Sequence, residues 1–326
     1  VTFASSISER KGGAVHTFFV KYITIFYSCF VNNMVFDLGG AIEAHHCINL
    51  EIVNTRFINN TAISGGSIHA VDIINISLIN VSYNRNKAKN GGALSFKYIQ
   101  VLNIVNCAFY NNTCEMLGGA LTLTFSKYTY VKIQDSIFIT NSAMLGGSLF
   151  IDVAENLVNS NVTFYKNDAR EGGGALYASY LKIVQNNGCK FYNNQAKLGG
   201  AITLFHNQFL SNMDTQFVKN KGTYGGALHT EESQIISNKN VSFSSNYALH
   251  GGSLNIHMSP ESHVINFNCN FVYNFGNLGG CIKIFHGQKI TNIQTTFLNN
   301  KALHGGVVYI SHIHSITNIA TRMDHN

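Results

Sequence analysis

Glycine pairs begin at Gly12, Gly39, Gly65, Gly91, Gly118, Gly146, Gly173, Gly199, Gly225, Gly251, Gly279 and Gly305, always 26 to 28 residues apart. No other feature constrains the fold as strongly, because a fixed period of this length marks a chain built from one repeated supersecondary unit. A second motif, an aromatic followed three positions later by asparagine, keeps the same beat. It runs through Phe30 and Asn33, Phe57 and Asn60, Phe109 and Asn112, Phe138 and Asn141, Phe164 and Asn167, and Phe191 and Asn194. It continues through Phe217 and Asn220, Phe243 and Asn246, Phe271 and Asn274, and Phe297 and Asn300, with Tyr83 and Asn86 as the variant. The distance from first glycine to aromatic is 18 residues in nine cases and 20 in two. Length changes are confined to definite points, as expected of loops on a repeating frame.

Within each repeat the pattern is that of strands. A small residue follows the glycines (Ala41, Ser67, Ala93, Ala201), then an aliphatic one (Ile42, Ile68, Leu94, Ile202), then a variable position, then usually another apolar residue. That alternation has period two. A second apolar segment precedes the aromatic, and runs this short, β-branched and interrupted by glycine and asparagine argue against helices. A 26-residue unit cannot close its own core, but stacked copies can. The expected fold is all-β: a parallel β-helix, or β-solenoid, of about twelve coils, continuous over residues 1–326. At about 4.8 Å per coil it forms a rod roughly 55–60 Å long. The glycines become corners, and the aromatics and asparagines become ladders of stacked side chains. The ladder positions so read are Phe57, Asn60, Phe109, Asn112, Phe138, Asn141, Phe164, Asn167, Phe191, Asn194, Phe217 and Asn220. Gly65, Gly66, Gly199 and Gly200 are read as corners. A further asparagine, five residues before the aromatic, appears only in the later repeats, at Asn159, Asn186, Asn212, Asn238, Asn266 and Asn292. It predicts a second ladder there.

The double motif resembles the repeats of chlamydial polymorphic outer membrane proteins. Gly39-Gly40-Ala41-Ile42 and Gly199-Gly200-Ala201-Ile202 match the first signature letter for letter, and the aromatic-x-x-Asn signature spans almost the whole chain. The resemblance implies a right-handed parallel β-helix of the pectate-lyase type on an extracellular or cell-surface protein with an adhesive role.

Composition narrows the function classes. Charged residues are only 12% of the chain, replaced largely by 41 asparagines, and the net charge of +6 is carried by scattered lysines and arginines. No basic stripe suited to nucleic acid is present, and no apolar run is long enough to span a membrane. A phosphate-binding glycine loop leads into a helix and occurs once; twelve copies leading into strands are corners. No cofactor is expected.

A polysaccharide lyase or hydrolase would need clustered carboxylates. Asp72, Asp152, Glu231 and Glu232 share an arc of the coil but fall three coils apart, about 14 Å. The expected chain is therefore non-enzymatic. His286 and His312 share one offset in adjacent coils, about 5 Å apart, with His257 one offset away, and form a weak transition-metal candidate lacking a third ligand. His45 and His46 are consecutive and expected on opposite faces. Among seven cysteines, Cys107, Cys189 and Cys269 occupy one core position three coils apart, and Cys29 with Cys47 is the one pair worth testing for a disulfide. Sequons stand at Asn59, Asn75, Asn80, Asn111, Asn161 and Asn240. Asn80, Asn161 and Asn240 fall where most repeats carry a stacked polar residue. Asn59 and Asn111, and after them Asn75, are the better glycan acceptors in a eukaryotic secretory pathway.

The chain starts at Val1 and shows no evident caps, so it reads as a segment of a longer protein or polymer. Its function is expected to be that of a surface rod, adhesin-like. An end-to-end stacked subunit of an extracellular filament is the first alternative, and the enzyme ranks last. Expected partners are other copies or flanking repeats at the open ends, and surface glycans or proteins along the rod.

Overall fold

A computed structural model describes residues 1–326. It contains forty short strands and no helix, and every strand pairing is parallel, joining a residue to its equivalent one coil on. The fold is a β-solenoid of about twelve coils. In each coil a strand follows the glycine pair, a middle strand precedes the aromatic, a three-residue strand carries the aromatic, and a return segment leads to the next glycine pair. The aromatic strands form a thirteen-stranded sheet from Thr2–Ala4 to Arg322–Asp324. In five coils the first two strands merge into one bent twelve-residue strand, as in Ile42–Val53, Ile68–Ile79 and Leu94–Val105. The return segment pairs as short strands such as Thr113–Leu117 and Ser142–Leu145, or as single bridges.

Single residues in the left-handed region turn the corners. In one coil these are Gly65 (φ 65°), Asp72 (55°), Asn80 (54°) and Arg85 (55°), and the same four offsets recur along the rod. The third of them, three residues before the aromatic, holds Asn54, Asn80, Asn106, Asp135, Asn161, Gly188, Asp214, Asn240 and Asn268, with Tyr27, Gln294 and Ala320 only in the end coils. Asparagine, aspartate and glycine are the residues that tolerate this backbone at least cost. The two glycines of each pair serve different ends. A Cβ on Gly65 would lie 2.1 Å from the Ile68 carbonyl oxygen, at a positive φ. A Cβ on Gly66 would lie 2.1 Å from the carbonyl oxygen of Gly92 in the next coil. The first glycine makes the corner, and the second lets the coils approach.

Two ladders fill the core. Twelve rings from Phe3 to Phe297 stack face to face, with centroids 4.5–5.1 Å apart and planes within 14° of parallel. Phe109, Phe138, Phe191 and Phe217 are among them, each fully buried. Beside the rings runs the asparagine ladder. Asn60 is typical: its Nδ2 donates to Asn86 Oδ1 (3.1 Å) and to the Phe30 carbonyl one coil back (3.0 Å). Its Oδ1 accepts both the backbone N–H and the Nδ2 of Asn33. Four hydrogen bonds use the whole amide. Asn112 is bound in the same way: its Nδ2 donates to Asn141 Oδ1 (3.0 Å) and to the Tyr83 carbonyl (3.1 Å), and its Oδ1 accepts from Asn86. Asn220 repeats it four coils on, donating to Asn246 Oδ1 (3.1 Å) and the Phe191 carbonyl (2.8 Å) and accepting from Asn194. The pattern extends from Asn33 to Asn326.

The second ladder runs Asn159, Asn186, Asn212, Asn238, Asn266, Asn292 and on to Asn318, each Nδ2 donating to the next Oδ1. Its first rung is left incomplete. Asn159 pairs in register with Ile133, which has no side-chain donor, and Asn159 Oδ1 is buried without a partner. All seven cysteines are free thiols, so Cys29 in the aromatic strand and Cys47 in the strand Ile42–Val53 are not joined. Burial raises the thiol pKa of Cys107, Cys189 and Cys269 to about 11, consistent with inert packing roles.

Tyr83 is the one tyrosine in the stacked aromatic column, and its hydroxyl is buried with no partner. Tyr83→Phe removes an unsatisfied group while keeping the stack, and is expected to raise stability by about 1–2 kcal/mol, read as a higher urea midpoint. Asn167→Ala strips the acceptor from Asn141 and the donor from Asn194. It is expected to cost about 3 kcal/mol or more, seen as a lower midpoint in the same titration.

Candidate functional site

The ladders occupy the interior. Asn60, Asn112, Asn141, Asn167, Asn194 and Asn220 are all completely buried. They and the rings beside them are therefore scaffold and touch nothing outside the rod. Chemistry is confined to the outward side chains. The strand after the glycine pair presents two of them per coil. One lies four residues after the first glycine and the other six. The first is outward yet mostly buried, because the return segment folds over it: Ser64 Oγ donates to Ser95 Oγ (2.8 Å), and Thr203 Oγ1 to the Leu198 carbonyl (2.7 Å).

Near the start of the rod this strip holds a charged cluster. In register stand His16, Glu43 and His69. The Glu43 side chain is fully buried. His45 Nε2 lies 2.6 Å from its Oε1, His16 Nε2 3.4 Å from its Oε2, and Lys11 Nζ 3.7 Å from its Oε1. A buried carboxylate needs such company, since an unpaired charge in the interior is costly. His69 is also buried, its Nδ1 has no partner, and burial, with Lys97 and His45 nearby, pushes its pKa down to about 4. Placing the acids only against other acids hides this cluster. Its signal in the sequence is His16, Glu43 and His69 at one offset in successive coils.

A second set of outward residues sits at the left-handed corner, seven residues after the first glycine. Phe19, His46, Asp72, Tyr98, Phe125, Val153, Tyr180, His206, Glu232, His286 and His312 all have φ between 52° and 60°. Neighbours along this corner interact. Phe19 stacks on His46 (4.8 Å, 16°), whose Nδ1 lies 3.3 Å from Asp72 Oδ2. Tyr180 stacks on His206 (4.8 Å, 11°), whose Nδ1 lies 2.8 Å from Glu232 Oε2. The order aromatic, imidazole, carboxylate thus occurs twice. The corner also undoes the simple expectation for His45 and His46. The turn at His46 abolishes strand alternation, and both rings lie outside with centroids 6.2 Å apart.

The other predicted positions fall as follows. His286 and His312 stack at 4.9 Å with planes 27° apart, and His257 lies 5.8 Å from His286. No group of three His, Cys, Asp or Glu side chains is arranged to hold a metal ion. Asp152 accepts from Ser179 Oγ (2.6 Å), and Glu231 faces the buried His229, whose hydrogen bond holds that carboxyl below its usual range. Asn255 Nδ2 lies 2.8 Å from His229 Nδ1, so Nε2 is the nitrogen that donates to Glu231. Glu43, Asp72, Glu155, Glu171, Glu231, Glu232 and Asp324 each lie within ion-pair distance of a histidine, lysine or arginine. Asn59 and Asn111 are exposed at a left-handed corner. Asn80, Asn161 and Asn240 are exposed as well, but each donates to the polar residue one coil back: Asn54, Asp135 and Asp214. Asn75 donates to Asn49.

An irregularity in the outward surface lies between coils five and eight, where a cleft is lined by Tyr128, Val153, Glu155, Tyr180, Lys182 and His206.

Residues 161–179 match the Chlamydia polymorphic membrane protein repeat. The matched stretch contains Phe164, Asn167 and Gly173-Gly174-Ala175-Leu176, so it holds one copy of each motif. No curated protein and no solved structure matches the chain.

The imidazole of His69 sets a pH dependence. Its folded pKa of about 4 lies below the unfolded value of about 6.5. Between these values the unfolded chain takes up a proton that the folded chain refuses. The neutral ring therefore contributes fully above about pH 6.5, and stability falls as the pH drops toward 4. His69→Gln is expected to remove up to about 3 kcal/mol of that fall, read as a flatter plot of urea midpoint between pH 7 and pH 4.

Proposed function

We propose that this chain is a non-enzymatic, surface-displayed rod with an adhesin-like role. The observation that carries the reading is the division of labour within the repeat. In coil after coil the glycine pair, the aromatic and the asparagine are committed to the solenoid, leaving variation to outward strand and corner positions. The match of residues 161–179 to a repeat described for a membrane protein of Chlamydia supports a surface setting.

Antibody against the purified chain is expected to label intact cells of the source organism, and the purified chain to adhere to a target cell layer. Labelling that appears only after permeabilisation overturns the surface reading. On the same reading, Asn59 and Asn111 are the first acceptors if the chain passes a eukaryotic secretory pathway. Intact-mass analysis is expected to show two glycans lost in the Asn59→Gln, Asn111→Gln double variant.

A second reading is assembly with further coils of the same kind, from a flanking segment or another copy. Ile310, Ile316 and Met323 of the last coil line a shallow apolar recess with Ile282 and Ile290 of the coil beneath, and such a surface suits another coil laid on top. Sedimentation of the purified chain over a concentration series tests it: concentration-dependent oligomers are expected, and a monomer throughout argues against stacking between copies.

A further inference from the structure

Two departures from the repeat meet at one place on the surface. Coil five carries two extra residues between glycine and aromatic. The register shows where they go: Ser126 pairs with Ala154 and Tyr130 with Asn156, so Lys127, Tyr128 and Thr129 stand opposite the single residue Glu155. The bulge throws Tyr128 outward, 71% exposed.

Coil six carries the other departure. Its left-handed corner residue is Val153, at φ 58°. A β-branched side chain there is a true outlier, because its two γ-carbons crowd the backbone. Such strain persists where something else holds it, and it is a pointer toward function. Val153 also breaks the stack of rings along this corner. Tyr98 and Phe125 stack on one side of it (5.9 Å), and Tyr180 and His206 on the other. The column is interrupted at Asp72 and Glu232 as well, but among its left-handed positions Val153 is the interruption with an apolar side chain.

From this the geometry points to a binding site for a single hexopyranose unit of a glycan, seated over Val153 between Tyr128 and Tyr180. The two tyrosines belong to coils five and seven and both line the cleft, Tyr128 from the bulge opposite Glu155 and Tyr180 from the left-handed corner itself. Tyr180 has one face committed to His206 and the other turned toward the gap. His206 is itself held by Glu232 at 2.8 Å, so the platform is oriented before any ligand arrives.

The polar fringe has the matching chemistry. Lys182 Nζ donates to Glu155 Oε1 at 2.6 Å at the cleft edge, which supplies both an acceptor and a donor for ring hydroxyls. The cleft measures about 290 Å³, at the small end for ligand sites and suited to one sugar unit. Apolar faces with a few convergent polar groups are what a sugar ring, with its C–H faces and hydroxyl rim, requires.

This inference deepens the adhesive-rod reading and rests on it. The test uses the purified chain and so separates the two: cell labelling can succeed while sugar binding fails, and the reverse. Immobilised oligosaccharides of neutral hexoses, N-acetylhexosamines and uronates are probed, with mononucleotides as the flat-ring comparison, and hits are titrated calorimetrically. At least one saccharide is expected to bind at a single site. Tyr180→Ala and Tyr128→Ala, both at exposed positions, are each expected to weaken it tenfold or more. Val153→Phe, which fills the gap with a ring, is expected to block it, while Tyr98→Ala, two coils before Val153 on the same corner and outside the cleft lining, leaves it unchanged. The proposal is overturned if no saccharide binds, if only mononucleotides bind, if the Tyr128 and Tyr180 variants bind as the parent does, or if Tyr98→Ala weakens binding equally.

Discussion

Parallel stacking in register, with each residue laid about 4.8 Å over its own counterpart, governs everything else in this molecule. Residues that gain from meeting their own kind become ladders: phenylalanine through stacked faces, asparagine through an amide that donates and accepts at once. Residues that repel their own kind cannot repeat. Two like charges at that distance oppose each other in every coil pair, which is why only 12% of the residues are charged. Where charges do occur in neighbouring coils, they alternate in kind. Glu155 meets Lys182 and Glu171 meets Lys197, and imidazoles rather than like charges face Asp72 and Glu232, from His46 and His206. The outward surface obeys the same rule of neighbour compatibility as the core.

Asparagine serves this architecture twice, by different physics. In the core, as at Asn112 and Asn220, it is a four-bond amide beside the aromatic stack, and its value is complete satisfaction without water. At the corner three residues before the aromatic it is chosen first for its left-handed backbone, and the coil-to-coil bonds from Asn80, Asn161 and Asn240 come with it. The second core ladder shows what happens at a boundary. Asn159 begins it beneath Ile133 and keeps an unpaired oxygen, a local cost where one kind of rung gives way to another.

The legibility of the chain follows from the same logic. Strands, coil count, both ladders and the glycine corners are all readable, because stacking forces equivalent positions to look alike and a period makes them line up on the page. The site is harder. His16, Glu43 and His69 are not one residue type repeated, so a search for recurrence passes over them. His45 and His46 are misplaced by simple alternation, which assumes an extended strand, whereas the turn at His46 is a backbone event. Tyr128, Val153 and Tyr180 look like unrelated irregularities until the register places a bulge, a missing ring and a ring beside one another.

The sequence by itself determined the parallel solenoid, its twelve coils and its core, because the information is local and repeated, and each repeat reinforces the same solution. Only the tertiary structure decided which outward residues share a surface. Residues some 26 positions apart become neighbours at about 4.8 Å, while successive residues at a left-handed corner diverge. Burial of Glu43 under the return segment and the gap over Val153 are properties of several coils at once, and no single repeat encodes them.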